Sequence, residues 1–311
     1  MKVIATVPPY AEYAEDIAKD DYVSGIRFNT VFPLSESKER AIRRMNKRVY
    51  PKDLWIDLKC RQLRITHSSL VPYHTVKISH KIKVDTPVEA WFDGGKYLAK
   101  ISKVDGNKLF VEEGPFLALG PGMPINILDP SLEIEGYLTK RDIAYIKAAK
   151  KADVHNYMLS YVEKESDIED LLELDPDARI IAKIESAEGL EFINWVYPKY
   201  RKDVRLMAAR GDLYVELDNK PHRILNALKK IRKADSKAIA ASRIFSSFKD
   251  PENPPECVEI CDMGYLIEVG YKEFMFGDEV AFNEDSIKSA LGLFRSIAKD
   301  YGERKWRKKK R

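Results

Sequence analysis

Apolar and polar positions change rhythm twice along this chain. Residues 2–7 (KVIATV) read as a buried strand, stopped by Pro8 and Pro9, and a helical pattern follows through about residue 20. VSGIRF (23–28) and LWIDL (54–58) are two further strand-like runs. Between them, residues 35–48 are basic and amphipathic with the period of a helix. From His67 to Glu135 the helical period disappears. Alternating runs take its place (HTVKISH, VEAWF, KYLAKISKV, KLFVEE), punctuated by Asp93-Gly94-Gly95 and Asp105-Gly106-Asn107, which are hairpin-turn sequences. The loop GPFLALGPG closes this region. At Thr139 a capping hydroxyl precedes an acid by three residues. Helices and strands then alternate to the end, with strands predicted at 154–160, 179–184, 204–208, 236–241 and 273–276 and a last helix over 284–300.

Eight strands, each followed by a helix, is the arithmetic of a closed (β/α)8 barrel. An open doubly wound sheet would call for a glycine-rich turn after the first strand, and VPPYAEY has none. The expected organisation is an α/β barrel from residues 1–66 and 136–303, a small all-β domain inserted at 67–135, and a basic tail at 304–311.

Composition narrows this little. The 311 residues are 44% hydrophobic and 33% charged, with a net charge of +4. RKWRKKKR at the end carries seven positive charges, and removing those from +4 leaves −3. The tail reads as a solvated end, or else as a weak handle for nucleic acid. No run is long enough for a membrane span and MKVIATVPPY is too short for a secretion signal, so a cytoplasmic location is expected. Cys60, Cys257 and Cys261 are too few for a disulfide scaffold, and a zinc site normally takes four ligands.

The chemistry gathers at the carboxyl ends of the strands, where barrels keep their active sites. Arg27 and Asn29 end the second strand, Asp57 and Lys59 the third, and Lys183 and Glu185 the fifth. Each pair is spaced by two, which puts both side chains on one face. Asp212 follows the sixth strand and Ser242 the seventh. Glu185 and Asp212 offer hard oxygens to Mg²⁺ or Mn²⁺. Arg27, Lys59, Arg64 and Lys183 are cations facing that acidic pair, an arrangement suited to phosphoryl transfer. His155 on the fourth strand reads as a structural residue, and Tyr10, Tyr13 and Tyr22 as helix packing.

These segments resemble the pyruvate kinase family. IIAKIESAEG is similar to that family's strand bearing the catalytic lysine and metal-binding glutamate, and MAARGDLYVE to its ARGDLGVE motif. IRFN, IDLKCRQLR, AIAASRIF and MFGDEVA are weaker counterparts of RLNFS, DTKGPEIR, ICATQM and LSGETA. The inserted β module falls where the family carries its lid. The resemblance implies that Glu185 and Asp212 bind the divalent metal, that Lys183 stabilises the phosphoryl group in flight, and that Arg27 holds the phosphate of phosphoenolpyruvate. It implies that Arg64 and Lys59 face the phosphates of ADP or ATP, and that the backbone at Gly211 and Asp212 holds the enol acid with Ser242. Asn29 and Asp57 would form half of a potassium site.

Several positions depart from the family. Val31 and Leu58 replace hydroxyl ligands of potassium, so that site is expected to be lost. Cys60-Arg61-Gln62 replaces Gly-Pro-Glu, Tyr214 a glycine, Arg243 a glutamine and Phe276 a serine. The family's C-terminal regulatory domain is expected to be absent after the eighth barrel helix, and a homo-oligomer is compatible with this reading. The expected function is a phosphotransferase acting on phosphoenolpyruvate, or a related phosphorylated acid, and a nucleotide. The alternatives are a Mg²⁺-dependent lyase or aldolase on a 2-keto acid, and a non-catalytic barrel that binds RNA through 304–311.

Overall fold

The structure is a computed structural model that describes residues 1–114, 119–217 and 220–309. Four residues of the GPFLALGPG loop, 115–118, and the last two of the basic tail lie outside these, as do the tail's side chains.

Eight parallel strands close into a barrel: β1 (Lys2–Thr6), β2 (Val23–Asn29), β3 (Asp53–Leu58), β4 (Asn156–Leu159), β5 (Arg179–Ile184), β6 (Val204–Ala209), β7 (Ile239–Ala241) and β8 (Glu273–Met275). Each pairs with its neighbours in sequence, and β8 returns to β1. The two-residue period sorts the side chains. On β5, Ile180, Ala182 and Ile184 face the surrounding helices, while Ile181 turns inward. Ile4, Trp55, Met158, Met207, Ile239, Ala241 and Met275 join it to fill the lumen. Above this apolar plug, the inward positions become Arg27, Asp57 and Lys183. Gly25 makes room for the plug: a Cβ there would lie 3.0 Å from the Trp55 indole.

Among the described residues there are ten α-helices, two more than one per strand. The crossover after β5 is split into Ala187–Trp195 and Tyr197–Tyr200, with Pro198 in the first turn of the second piece. The crossover after β6 contains Arg210–Glu216 and Ile224–Ala234. The last helix runs Glu284–Lys309, so the backbone of the basic stretch continues it instead of leaving it at residue 300. No helix of the described residues is long and apolar enough to cross a membrane.

The insertion is an all-β domain with its own core. Its six-stranded sheet, in spatial order 125–126, 88–92, 97–105, 108–113, 75–78 and 65–69, is antiparallel throughout, and a separate pair joins 82–83 to 133–134. Val76, Ile78, Ala90, Phe92, Ile101 and Leu109 are buried in its own cluster. Asp93, Gly94, Gly95 and Gly106 take the positive φ that the tight turns require. The domain rests on the barrel's upper rim: a Cβ on Gly95 would lie 3.0 Å from Val215, on the short helix after β6.

Candidate active site

The upper rim holds a continuous polar network. Arg27, 6% exposed, donates from Nε (2.9 Å) and Nη2 (2.5 Å) to Asp57 Oδ2, and from Nη1 to Thr6 Oγ1 (3.0 Å) and Asp278 Oδ1 (2.9 Å). Lys59 Nζ donates to the same Asp57 oxygen at 2.6 Å. Lys183 Nζ donates to Ser160 Oγ (2.8 Å) and lies 3.2 Å from Glu185 Oε1 and 3.4 Å from Asp57 Oδ1. The Asp57 Oδ1 contact is an ion pair only, since that oxygen is buried with no hydrogen bond. Glu185 Oε2 accepts from the backbone N–H of Tyr161 at 2.8 Å.

The charges act strongly on one another because they are buried. Burial opposes ionisation of Asp57, but Arg27, Lys183 and Lys59 together hold its carboxyl well below the usual range. Burial pushes Lys59 down to about 7; Asp57 pulls the other way, and Arg27 and Lys183 add repulsion. Burial also works against Lys183, whose pKa is nonetheless raised by Asp57 and Glu185. Glu185 is raised by burial, opposed by Lys183 and pushed further by the charge of Asp212. Glu185 follows β5 and Asp212 follows β6, and these two strands are paired neighbours in the barrel.

Asp212 lies in the first turn of the Arg210–Glu216 helix. Its Oδ2 accepts from Gln62 Nε2 at 2.8 Å, and Gln62 Oε1 accepts from Arg64 Nε at 2.8 Å. Gly211 faces the end of β7, where an added Cβ would touch Ser242 Cβ (3.4 Å) and Oγ (3.5 Å). Ser242 and Arg243 both have positive φ, and Arg210 fixes this bend by donating to the carbonyls of Ala241 and Ser242. Arg243 lies over the Tyr214 ring at 4.9 Å, so two of the departures from the family motifs pack on each other.

The structure therefore brings Arg27, Asn29, Asp57, Lys59, Lys183 and Glu185 into one cluster, sets Gly211 against Ser242, and joins Asp212 to Arg64 through Gln62. Asp278 does not stand out in the sequence patterns, yet it binds both Arg27 and Asn29, the latter at 2.8 and 2.9 Å. The strand-end rule could have found it, because it follows β8 as Asp212 follows β6. His155 sits at the opposite mouth, where Asp175 accepts from its Nδ1 (2.8 Å) and from the Tyr157 hydroxyl (2.7 Å). Tyr10 packs on Phe32 and Tyr22 on Phe294, while the Tyr13 hydroxyl donates to Ala281.

The family described as pyruvate kinase, barrel domain, matches residues 54–285. The chain belongs to the pyruvate kinase family. The pyruvate kinase of Methanocaldococcus jannaschii is 28% identical over 316 residues, covering 96% of this chain and 68% of that protein. That of Borreliella burgdorferi is 25% identical, over 96% of this chain and 67% of its own length. Pyruvate kinase II of Salmonella typhimurium is 30% identical over 65% of this chain and 43% of its length. The ARGDLYVE helix of this pyruvate kinase family member ends on Glu216, a carboxyl whose surroundings disfavour its ionised form. Glu216 Oε1 accepts from Asn126 Nδ2 (2.7 Å) and the Tyr161 hydroxyl (3.2 Å). Burial first, then repulsion from Asp212, pushes Glu216 from 4.5 up to about 8 against those hydrogen bonds. A proton bound more tightly in the folded state gives stability that is present below about pH 4.5 and lost as pH rises through about 8. Glu216→Gln keeps the neutral form, so its stability relative to wild type is expected to rise by about 2–4 kcal/mol between pH 4 and 9. Urea unfolding in chelator at both pH values checks this; parallel behaviour of the two proteins would refute it.

Proposed function

We propose that this chain is a divalent-metal-dependent phosphotransferase that moves a phosphoryl group between phosphoenolpyruvate and a nucleoside diphosphate. The observation that carries the reading is Lys183: a buried ammonium on the catalytic rim, placed between Glu185 and Asp57, in a member of the pyruvate kinase family. Every relative named above is a pyruvate kinase, which favours phosphoryl transfer over the lyase and RNA-binding alternatives.

The donor set fits a divalent ion. Glu185 is destabilised by the neighbouring Asp212 charge, and both offer carboxylate oxygens, the ligands Mg²⁺ and Mn²⁺ prefer. When bound, such an ion supplies positive charge to polarise the transferring group. Lys183 adds a point charge to the phosphoryl oxygens, and Ser242 with the backbone at Gly211 and Asp212 orients the carboxylate end. Arg27 receives the substrate phosphate on Nη1, where that phosphate competes with Asp278. Arg64, at the seam with the inserted domain, faces the nucleotide phosphates.

The residues at the family's potassium position do not fit an alkali ion. Asp57 Oδ2 already holds the guanidinium of Arg27 and the ammonium of Lys59. Asn29 turns its amide nitrogen, which cannot ligate a cation, toward the Asp278 carboxylate. Lys59 thus takes over charge balance from a monovalent ion rather than reaching for the nucleotide. A coupled assay with phosphoenolpyruvate, ADP and Mg²⁺ tests both statements. The expected result is pyruvate release that is unchanged when tetramethylammonium replaces potassium. Absence of turnover with either ion, in folded protein, would rule out the reaction; strict dependence on potassium would rule out the role given to Lys59.

A further inference from the structure

We infer that Gln62 is a positioning residue that couples the inserted domain to the metal carboxylates, so that divalent-ion binding and closure of that domain strengthen each other. The inference rests on the metal reading of Glu185 and Asp212 given above. It begins with a buried amide whose orientation is fixed by chemistry. Gln62 is 4% exposed and lies between Arg64 and Asp212. A guanidinium can only donate, so the Gln62 oxygen must face Arg64 and its NH2 group must face Asp212. Gln62 therefore ties one oxygen of Asp212, Oδ2, and restricts the rotation of that carboxylate.

At its other end the chain of bonds is anchored in the inserted domain. Arg64 Nη1 donates to the Gly122 carbonyl at 2.5 Å. The Arg64 backbone N–H donates to Ser79 Oγ at 3.1 Å, and its carbonyl accepts from Ser79 N at 2.9 Å. Arg64 also bridges to Pro124 in antiparallel fashion. Gly122 and Pro124 lie on the pass leading into 125–126, and Ser79 follows the 75–78 strand, so Arg64 is tied to two passes of the β domain and moves with it. Displacement of the domain from the rim pulls Arg64 from Gln62 and frees the Gln62 amide to leave Asp212.

The helix that carries Asp212 meets the same domain twice more, through Val215 against Gly95 and through Glu216 bound to Asn126. Whatever fixes Asp212 thus favours the seated domain, and the seated domain fixes Asp212. Such linkage is reciprocal: a factor gained in metal affinity on closure is the same factor by which metal favours closure. The glutamate found at this position in the family motif could not donate to Asp212, since an ionised carboxylate only accepts. The coupling therefore depends on the amide.

Two measurements with Mn²⁺ as the probe test this on the full chain. One is Mn²⁺ affinity, from the electron-spin-resonance signal of the free ion. The other is amide hydrogen exchange at residues 120–126, with and without Mn²⁺. In wild type, Mn²⁺ is expected to slow exchange there. Gln62→Met keeps the length without the donor, and is expected to weaken Mn²⁺ binding about tenfold, as loss of a group orienting a ligand does, and to abolish the Mn²⁺-induced slowing. Arg64→Met leaves Gln62 beside Asp212 but cuts the link to the domain, and is expected to abolish the slowing as well. If either variant retains the full Mn²⁺-induced slowing, the coupling is wrong while the metal site stands. If wild type binds no Mn²⁺, the metal reading itself fails and the coupling with it.

Discussion

Lys183→Met is expected to lower kcat for phosphoryl transfer by about a thousandfold while leaving Mn²⁺ binding intact, the magnitude seen when a group poised on developing charge is removed. The phosphoryl group in flight spreads charge over three oxygens and needs positive groups fixed in advance. Lys183 is fixed in this way. It is 5% exposed, hydrogen-bonded to Ser160, and positioned by carboxylates on two sides. Its partners keep it protonated despite burial. Because the interaction strengthens only as charge moves, kcat should fall far more than KM for phosphoenolpyruvate changes. Glu185 loses its cation in the variant, so Mn²⁺ should bind at least as tightly as in wild type. Lys183→Arg is not expected to restore the rate, since a planar fork cannot occupy the place of a compact ammonium. A kcat within tenfold of wild type, in protein of unchanged secondary structure by circular dichroism, would remove Lys183 from the mechanism.

How far the sequence discloses this site depends on the range of each interaction. The spacing of Ile181, Lys183 and Glu185 reports directly that all three leave β5 on one face, because the strand period is local. The same holds for Asp57 with Lys59 and for Arg27 with Asn29. The Asp93-Gly94-Gly95 and Gly106 turns are equally local. Two-residue strands such as 125–126 and 133–134 carry too little pattern to have a period, and only tertiary pairing defines them. The polar partners are harder still. Gln62 and Asp212 are 150 positions apart, and Arg27 and Asp278 are 251 apart. Nothing near Gln62 says that its amide meets a carboxylate, or that Asp278 takes up the donors of Arg27 and Asn29. Lys59 shows the limit of the strand-end rule. Its face is legible, but its 2.6 Å contact with Asp57 is not specified by spacing.

Arg61→Met should be among the most destabilising single changes outside the Arg27, Asp57 and Lys183 cluster, costing about 3–5 kcal/mol, a large share of the roughly 5–15 kcal/mol that typically holds a domain folded. Arg61 stands where the family motif has proline, and the fold is built around its charge. Nη1 donates to the Tyr161 carbonyl (3.0 Å), to Glu163 (2.8 Å) and to Asp167 Oδ2 (2.9 Å), while Nη2 reaches Asp167 Oδ1 at 2.6 Å. The guanidinium also lies 4.9 Å from the centre of the Tyr137 ring. Asp167 is fully buried and accepts the backbone N–H groups of Glu163 and Lys164 at the start of the Glu165–Leu174 helix. Removing Arg61 leaves that carboxylate without a cation, and burial of an unpaired charge is the dominant penalty. Asp167→Asn in the same protein keeps an acceptor for the helix start but removes the charge. The double variant should therefore recover at least half of the loss, a coupling that urea unfolding of the four proteins would measure. Activity should fall too, because Tyr161 has a positive φ and its N–H holds Glu185. A single-variant loss below about 1 kcal/mol, the size of an exposed ion pair, would mean that water replaces Arg61 and that Asp167 is not electrostatically isolated.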